Sequence, residues 1–276
     1  MKVFRIPMQW TAALLAMLTQ LPGTAEAFSY SASYMNNWGG CACSNSSLSY
    51  TGDQMDMFDA ALASRGHNRM HKFANASVWA SDYIEDTLGG QDNFFSDDSD
   101  IIAYSGHGSA PNYSAGQAFT ASVCSAGTSS SCTFSSHDFR LGEQGGSYAY
   151  PYAGSTRWAL WFTCYSVHTQ PDQQWGPALW QGLEYVMGYR DTSLDSETTD
   201  EVPEDWVEKA IGDSDTFKSA WFWAVEDWWA NDTGELVSTG PESETAAYRR
   251  DNLNKNWARR APYDYGYWIA WSWHEG

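Results

Sequence analysis

The sequence predicts an α/β protein whose mainly parallel sheet is covered by helices. Two observations carry this. Short apolar runs fit for buried strands, Ile101–Tyr104 and Arg157–Thr163, alternate along the chain with stretches of helical periodicity. No internal repeat and no second-domain linker interrupts that alternation, so 276 residues read as one domain after a leader. With 43% apolar and 16% aromatic residues, the composition is that of a chain able to bury a core.

Residues 1–27 read as a signal peptide. Lys2 and Arg5 form a basic start, Trp10 to Leu21 is apolar but too short to span a bilayer, and Ala25-Glu26-Ala27 supplies a small-x-small cleavage site. The domain then occupies 28–276, with a net charge of about −20 after cleavage, against −19 for the whole chain. No later apolar run reaches membrane-spanning length, so an exported protein, secreted or periplasmic, without stable membrane insertion is expected. A strongly acidic surface repels phosphate backbones, which argues against nucleic acid as a partner.

Residues 28–50, rich in Ser, Asn and Tyr, read as an extended, loop-rich entry. Asp53–Ser64 reads as a helix, since Met55, Phe58, Ala61 and Leu62 share one face and Gly66 follows as a stop. Arg69–Phe73 fits a short strand, while Val78–Leu88 is ambiguous. Ile101–Tyr104 is the first buried strand. Ser105 to Gly154, mostly Gly, Ser, Thr, Ala and Tyr, reads as a long surface excursion, and such loops are often functional. Arg157–Thr163 is the clearest strand. Gly176-Pro177 is read as opening a short helix, Leu183–Tyr189 as a strand and Thr192–Asp205 as an acidic loop. Asp213 is read as the cap of a helix carrying Phe217, Ala220, Trp221, Ala224 and Trp228, and Tyr265–Trp273 as a final aromatic strand.

Five cysteines in an exported chain leave at least one thiol unpaired unless it bridges two chains. Cys124 and Cys132 flank a Ser/Gly/Thr-rich segment and could close a short loop. Cys41 and Cys43 are open to pairing with each other, to pairing with that second pair, or to binding a metal. Cys164 differs in following an apolar strand, and it is the free thiol if the other four form two disulfides.

In parallel sheets, functional groups collect beyond the carboxyl ends of strands. His107 and Cys164 both stand there. A cysteine nucleophile needs a base or cation that favours the thiolate and donors for the developing oxyanion. His107 meets the first need, and the backbone N–H groups of Cys164 and Gly108 are candidates for the second. Gly106 and Gly108 allow close backbone approach to a substrate.

Ile101-Ile102-Ala103-Tyr104-Ser105-Gly106-His107-Gly108-Ser109 resembles the apolar strand plus His-Gly element of the caspase, legumain, gingipain and clostripain group of cysteine peptidases. Trp158-Ala159-Leu160-Trp161-Phe162-Thr163-Cys164-Tyr165-Ser166 is similar to their second strand, which ends in the nucleophile, and Val186-Met187-Gly188-Tyr189 to the next core strand. Trp79 to Gly108 also resembles an uncharacterised group of bacterial secreted proteins. The resemblance implies a caspase-like three-layer fold and a peptide or protein substrate cleaved through a thioester by His107 and Cys164, without a cofactor. Thr163 stands where these peptidases commonly have Ala, and no caspase-type specificity signature surrounds Cys164, so specificity does not carry over. The acidic surface suggests basic side chains beside the cleaved bond, with Asp191 or Asp195 as pocket residues.

Other features weigh less. His168, four residues after Cys164, forms a rival pair if both lie on one helix. His67, His71, His137 and His274 read as structural. Asp97, Asp98 and Asp100 could ligate calcium, but their spacing is not that of a helix–loop–helix site, and solvated charge is the simpler reading. The 16 tryptophans read mainly as packing rather than as sugar-stacking platforms. Two other functions fit the same pattern: a non-catalytic exported binding module, and a thiol-dependent transpeptidase.

Overall fold

The computed structural model describes residues 27–109, 118–124, 132–142, 154–168, 170–179, 182–226, 232–256 and 268–275. The expected signal peptide, up to residue 26, and part of the 105–154 segment lie outside these residues, as does Trp228.

Along the chain the elements are β1 (Ser29–Tyr34), α1 (Thr51–Ser64), β2 (Asn68–Ala74), β3 (Ile101–Ser105), β4 (Gly108–Ser109), β5 (Thr120–Ser122), β6 (Thr133–Ser135), β7 (Trp158–Phe162), α2 (Pro171–Leu179), β8 (Tyr185–Tyr189), α3 (Val202–Val207), α4 (Phe217–Val225), β9 (Gly234–Gly240), α5 (Ser243–Asn252) and β10 (Trp268–His274). Seven strands form one sheet in the order β10-β9-β8-β7-β3-β1-β2, and β4-β5-β6 form a small second sheet. From β2 to β8 the neighbours are parallel, whereas β9 and β10 close the sheet antiparallel. The expected α/β class with a mostly parallel sheet is therefore what the chain adopts.

The pleat divides the core. On one face Ile101, Ala103, Trp158, Leu160 and Phe162 pack with Phe58 of α1, Trp206 of α3 and Trp221 of α4. On the other, Ile102, Tyr104, Ala159 and Trp161 pack with Trp175 of α2 and with Phe119, Phe134 and Phe139. Both faces of β3 and β7 are buried, which is why these strands read as continuous apolar runs.

Several expectations need correction. The entry segment contains β1, an inner strand between β2 and β3. It hides in a Ser-rich sequence because Ser31 and Ser33 are buried beside Tyr30 and Ala32, with Ser33 hydrogen-bonded to the Tyr83 hydroxyl. The 105–154 stretch is not all surface: it builds the small sheet, and Phe119, Phe134 and Phe139 each pack 5.5–5.6 Å from the Trp161 ring. The ambiguous 78–88 stretch is a series of short 3-10 turns.

Gly176-Pro177 does not open a helix. α2 begins at Pro171 and carries Pro177 inside. Proline lacks the N–H that would bond to the carbonyl of Gln173, four residues back, and His137 Nε2 donates to that carbonyl instead, at 2.9 Å. Asp213 ends a π-helical turn, and the cap of α4 is Thr216, whose hydroxyl accepts the Ser219 N–H at 3.2 Å. α3 falls partly within the expected acidic loop, and β9 and α5 were not anticipated.

Cys41 pairs with Cys124 and Cys43 with Cys132, so the short Cys124–Cys132 loop is not closed on itself. Cys164 is a free thiol. Asp97 is not solvated. Only 1% exposed, its carboxylate accepts the Gly142 and Thr156 N–H groups at 2.8 and 2.9 Å. Asp100 accepts from the Ser29 N–H and hydroxyl, and Asp98 faces His71. Among the described residues no helix is long and apolar enough to cross a membrane.

Candidate active site

β3 and β7 are parallel neighbours in register, Ser105 opposite Phe162, so the chain leaves both strands at the same edge. His107 follows one strand and Cys164 the other. Both line a cavity of ≈ 190 Å³, together with Gln54, Thr163, Ser193 and Asp195.

The turn that carries Cys164 is braced on every side. Tyr165 sits at φ 55, a left-handed conformation that a bulky side chain seldom adopts, so the reversal directly after the thiol is held against its local preference. Tyr165 N–H donates to Asp191 O at 2.8 Å, Val167 N–H to Tyr189 O at 3.0 Å, and Gln174 Nε2 to Tyr165 O at 2.9 Å. The Ser166 hydroxyl donates to the Trp161 and Thr163 carbonyls and accepts from Tyr189 N–H.

The half-buried Cys164 thiol faces the 193–194 segment. Its Sγ donates to Ser193 O at 3.6 Å and accepts the Ser193 N–H at 3.3 Å. Burial pushes the thiol up from its ordinary value. The Ser193 N–H pulls it back, and the Asp232 carboxylate pushes it further up. Asp232 is itself buried, which raises it to about 6, and it accepts the Leu194 N–H at 3.3 Å. The resting thiol is thus the neutral form at neutral pH.

His107 is held by three residues. Ser122 N–H donates to its carbonyl at 2.9 Å, the Trp38 ring lies 5.3 Å from the imidazole, and Nε2 meets Ser46 O at 2.9 Å and Ser46 Oγ at 3.0 Å. A carbonyl only accepts, so the proton sits on Nε2 and leaves Nδ1 as the basic nitrogen.

Gly106 and Gly108 are also required by their neighbours. A Cβ at Gly106 would meet the Tyr104 hydroxyl, and one at Gly108 would stand 2.5 Å from Cys164 O. The missing Cβ of Gly108 lets the loops after β3 and β7 approach each other closely. Asp195 lines the cavity, with its carboxylate accepting the Ser49 and Tyr50 N–H groups at 2.6 and 2.9 Å just before α1. Asp191 is exposed and not among the cavity's lining residues. His168 lies in irregular chain, not on a helix with Cys164. It is half-buried, its ring 5.8 Å from Tyr165, and burial lowers its pKa. The other four histidines all have polar partners: Phe28 N–H for His67, Asp98 for His71, Gln173 O for His137 and Glu226 for His274. No group of three or more His, Cys, Asp or Glu suited to a metal occurs among the described residues.

Sequence reasoning missed Ser46, Trp38, Ser193 and Asp232 at this site. They lie 61, 69, 29 and 68 positions from the group they serve, and nothing in their local sequence marks them. Thr163 was noted only for its identity. Its hydroxyl, 1% exposed and lining the cavity, makes no hydrogen bond among the described residues.

The profile of the domain of unknown function DUF6345 matches residues 33–264, most of the chain. The chain belongs to the DUF6345 family. The match runs from the end of β1 through α5, so His107, Cys164 and the residues of the cavity they line all fall inside the DUF6345 domain. No curated protein matches the chain.

Proposed function

We propose that this protein is an exported cysteine peptidase of caspase-like type, with His107 as base and Cys164 as nucleophile. The observation that carries the reading is that both residues line one cavity at the ends of adjacent parallel strands. His107 Nδ1 takes the thiol proton as Sγ attacks the peptide carbonyl, which suits a thiol that is neutral at rest. The oxyanion is received by the backbone N–H groups of Gly108 and Cys164. The proton passes to the leaving amine as the C–N bond breaks. Water, deprotonated by His107, then hydrolyses the thioester, releasing the acid and restoring the thiol.

Asp195 at the cavity wall is the one acidic candidate for a substrate's basic side chain, and Asp191 drops behind it. The test is cleavage of a diverse peptide library by the secreted protein, with products read by mass spectrometry. We expect wild-type cleavage that Cys164→Ala abolishes and that His107→Ala lowers by at least about 10²-fold. Cleavage by Cys164→Ala at the wild-type rate would overturn the assignment. Transpeptidation would appear as products joined to an added amine in place of free acids.

One observation favours a second reading, a non-catalytic binding module. Burial and Asp232 both disfavour the thiolate, as suits a thiol that is only a packed side chain. Slow alkylation of Cys164 that is indifferent to His107→Ala would support it.

A further inference from the structure

The segment between Trp38 and Leu48 leaves β1 and crosses over His107. Ser46, which meets the imidazole Nε2, lies on an exposed stretch of Ser and Asn with no regular secondary structure. Such a stretch has little means of its own for holding a ring in one orientation. Cys41 and Cys43, five and three residues before Ser46, are bonded to Cys124 and Cys132.

Those partners flank the small sheet that also grips the backbone of His107. Cys124 lies just after β5, and Cys132 just before β6. β5 supplies Ser122, whose N–H donates to His107 O at 2.9 Å, and Ala121, which pairs with Gly108. Asn45 Nδ2 adds a contact to Ser122 Oγ at 3.4 Å. His107 and Ser46 therefore lie within the loop that the Cys41–Cys124 bond closes, and Trp38 stands three residues before it. Cys164 stands outside it, on the neighbouring strand end.

We propose that the Cys41–Cys124 and Cys43–Cys132 disulfides are positioning bonds for His107, acting through Trp38 and Ser46, so that the state of its imidazole depends on their oxidation. The proposal rests on the reading of His107 as the base of the site. An external dithiol opens each disulfide by supplying two electrons and two protons. This yields two cysteine thiols and the cyclic disulfide of the reductant, with no change of bonding at His107 or Cys164. Once the staples open, Ser46 and Trp38 leave the ring, Nε2 bonds to water and the imidazole is free to change tautomer.

The test uses the full secreted chain with ¹⁵N-labelled histidine. His107 is followed by nitrogen chemical shifts, and Cys164 by the pH profile of iodoacetamide labelling mapped by mass spectrometry. Closed, the protein is expected to show one tautomer with the proton on Nε2. After dithiothreitol treatment and removal of the reductant, or in the Cys43→Ser/Cys132→Ser variant, a tautomer mixture is expected. The labelling profile should move toward that of His107→Ala, and reoxidation of the treated wild type should restore both. Ser46→Gly, with both disulfides closed, loosens the same loop at an exposed residue and should shift the nitrogen signals in the same direction.

Unchanged imidazole signals in the opened protein and in Ser46→Gly would overturn the proposal. If His107→Ala fails to alter Cys164 labelling in the closed protein, the dyad fails instead, and the nitrogen signals still decide whether the disulfides position the ring.

Discussion

Asp97 ties together backbone segments that are far apart in sequence. Its carboxylate accepts the N–H groups of Gly142 and Thr156, and Gly154 lacks the Cβ that would collide with it. Asp97→Ala leaves those two buried donors without their acceptor, and a loss of about 2–5 kcal/mol is expected from denaturant titration. Asp97→Asn should lose less, since one oxygen still accepts. Gly108→Ala has a different outcome. Its Cβ would press on Cys164 O and on Thr163, so about 1–3 kcal/mol of stability and an altered Cys164 labelling rate should be lost together. At this scale the sequence marked His107, Cys164 and the flanking glycines, because their residue types and strand-end positions are local properties. It did not show what lies opposite each one. The contact of Gly108 with Cys164 O therefore went unread, and the acidic run holding Asp97 read as a solvated loop.

The strands show why some elements were legible and others not. β3 and β7 are buried on both faces, and a continuous apolar run advertises that. β1 and β9 are inner strands too, but buried Ser, Thr and Glu interrupt them: Thr239 donates to Leu183 O, Ser238 to Ala246 O, and Glu235 lies 3.7 Å from Arg190. Their hydropathy pattern is broken by polar groups that the fold nevertheless buries. α2 failed in a similar way: Pro177 looked like a start because the histidine that takes over the vacated carbonyl lies 40 positions earlier. Removing His137 tests this. His137→Ala should cost about 1–2 kcal/mol and fray α2, read by amide exchange, whereas the double change with Pro177→Ala should recover part of the loss. In β7, Trp161→Ala should cost about 3–5 kcal/mol in thermal unfolding, since its ring meets Phe119, Phe134, Phe139 and Trp175.

Across the whole molecule, burial raises several carboxyls: Glu235 to about 7, and Asp82 and Asp232 to about 6. A carboxyl whose folded value lies above its unfolded value holds more protons in the native state, so stability falls as pH rises through that interval. Asp251, held at about 2 first of all by its hydrogen bond to Arg250, acts in the opposite sense but only below pH 4. The melting temperature is therefore expected to rise as pH drops from about 8 to about 5. Glu235→Gln should flatten the slope by removing a contribution on the order of 2 kcal/mol. A chain with 34 acidic and 15 basic residues is also relieved of self-repulsion on the same path.

The pairing of β3 with β7 also bears on how the protein comes into being. Parallel neighbours cannot be joined by a tight turn, and 57 positions separate the histidine from the thiol. Contacts of such long range form late, because the intervening chain must first give up its freedom. A nascent chain emerging from its amino end carries the histidine well before the cysteine, and β3, though it can already pair with β1, has an open edge until β7 has emerged. The site is then the product of folding itself: up to that moment the cell that makes this chain handles it as an unassembled polymer.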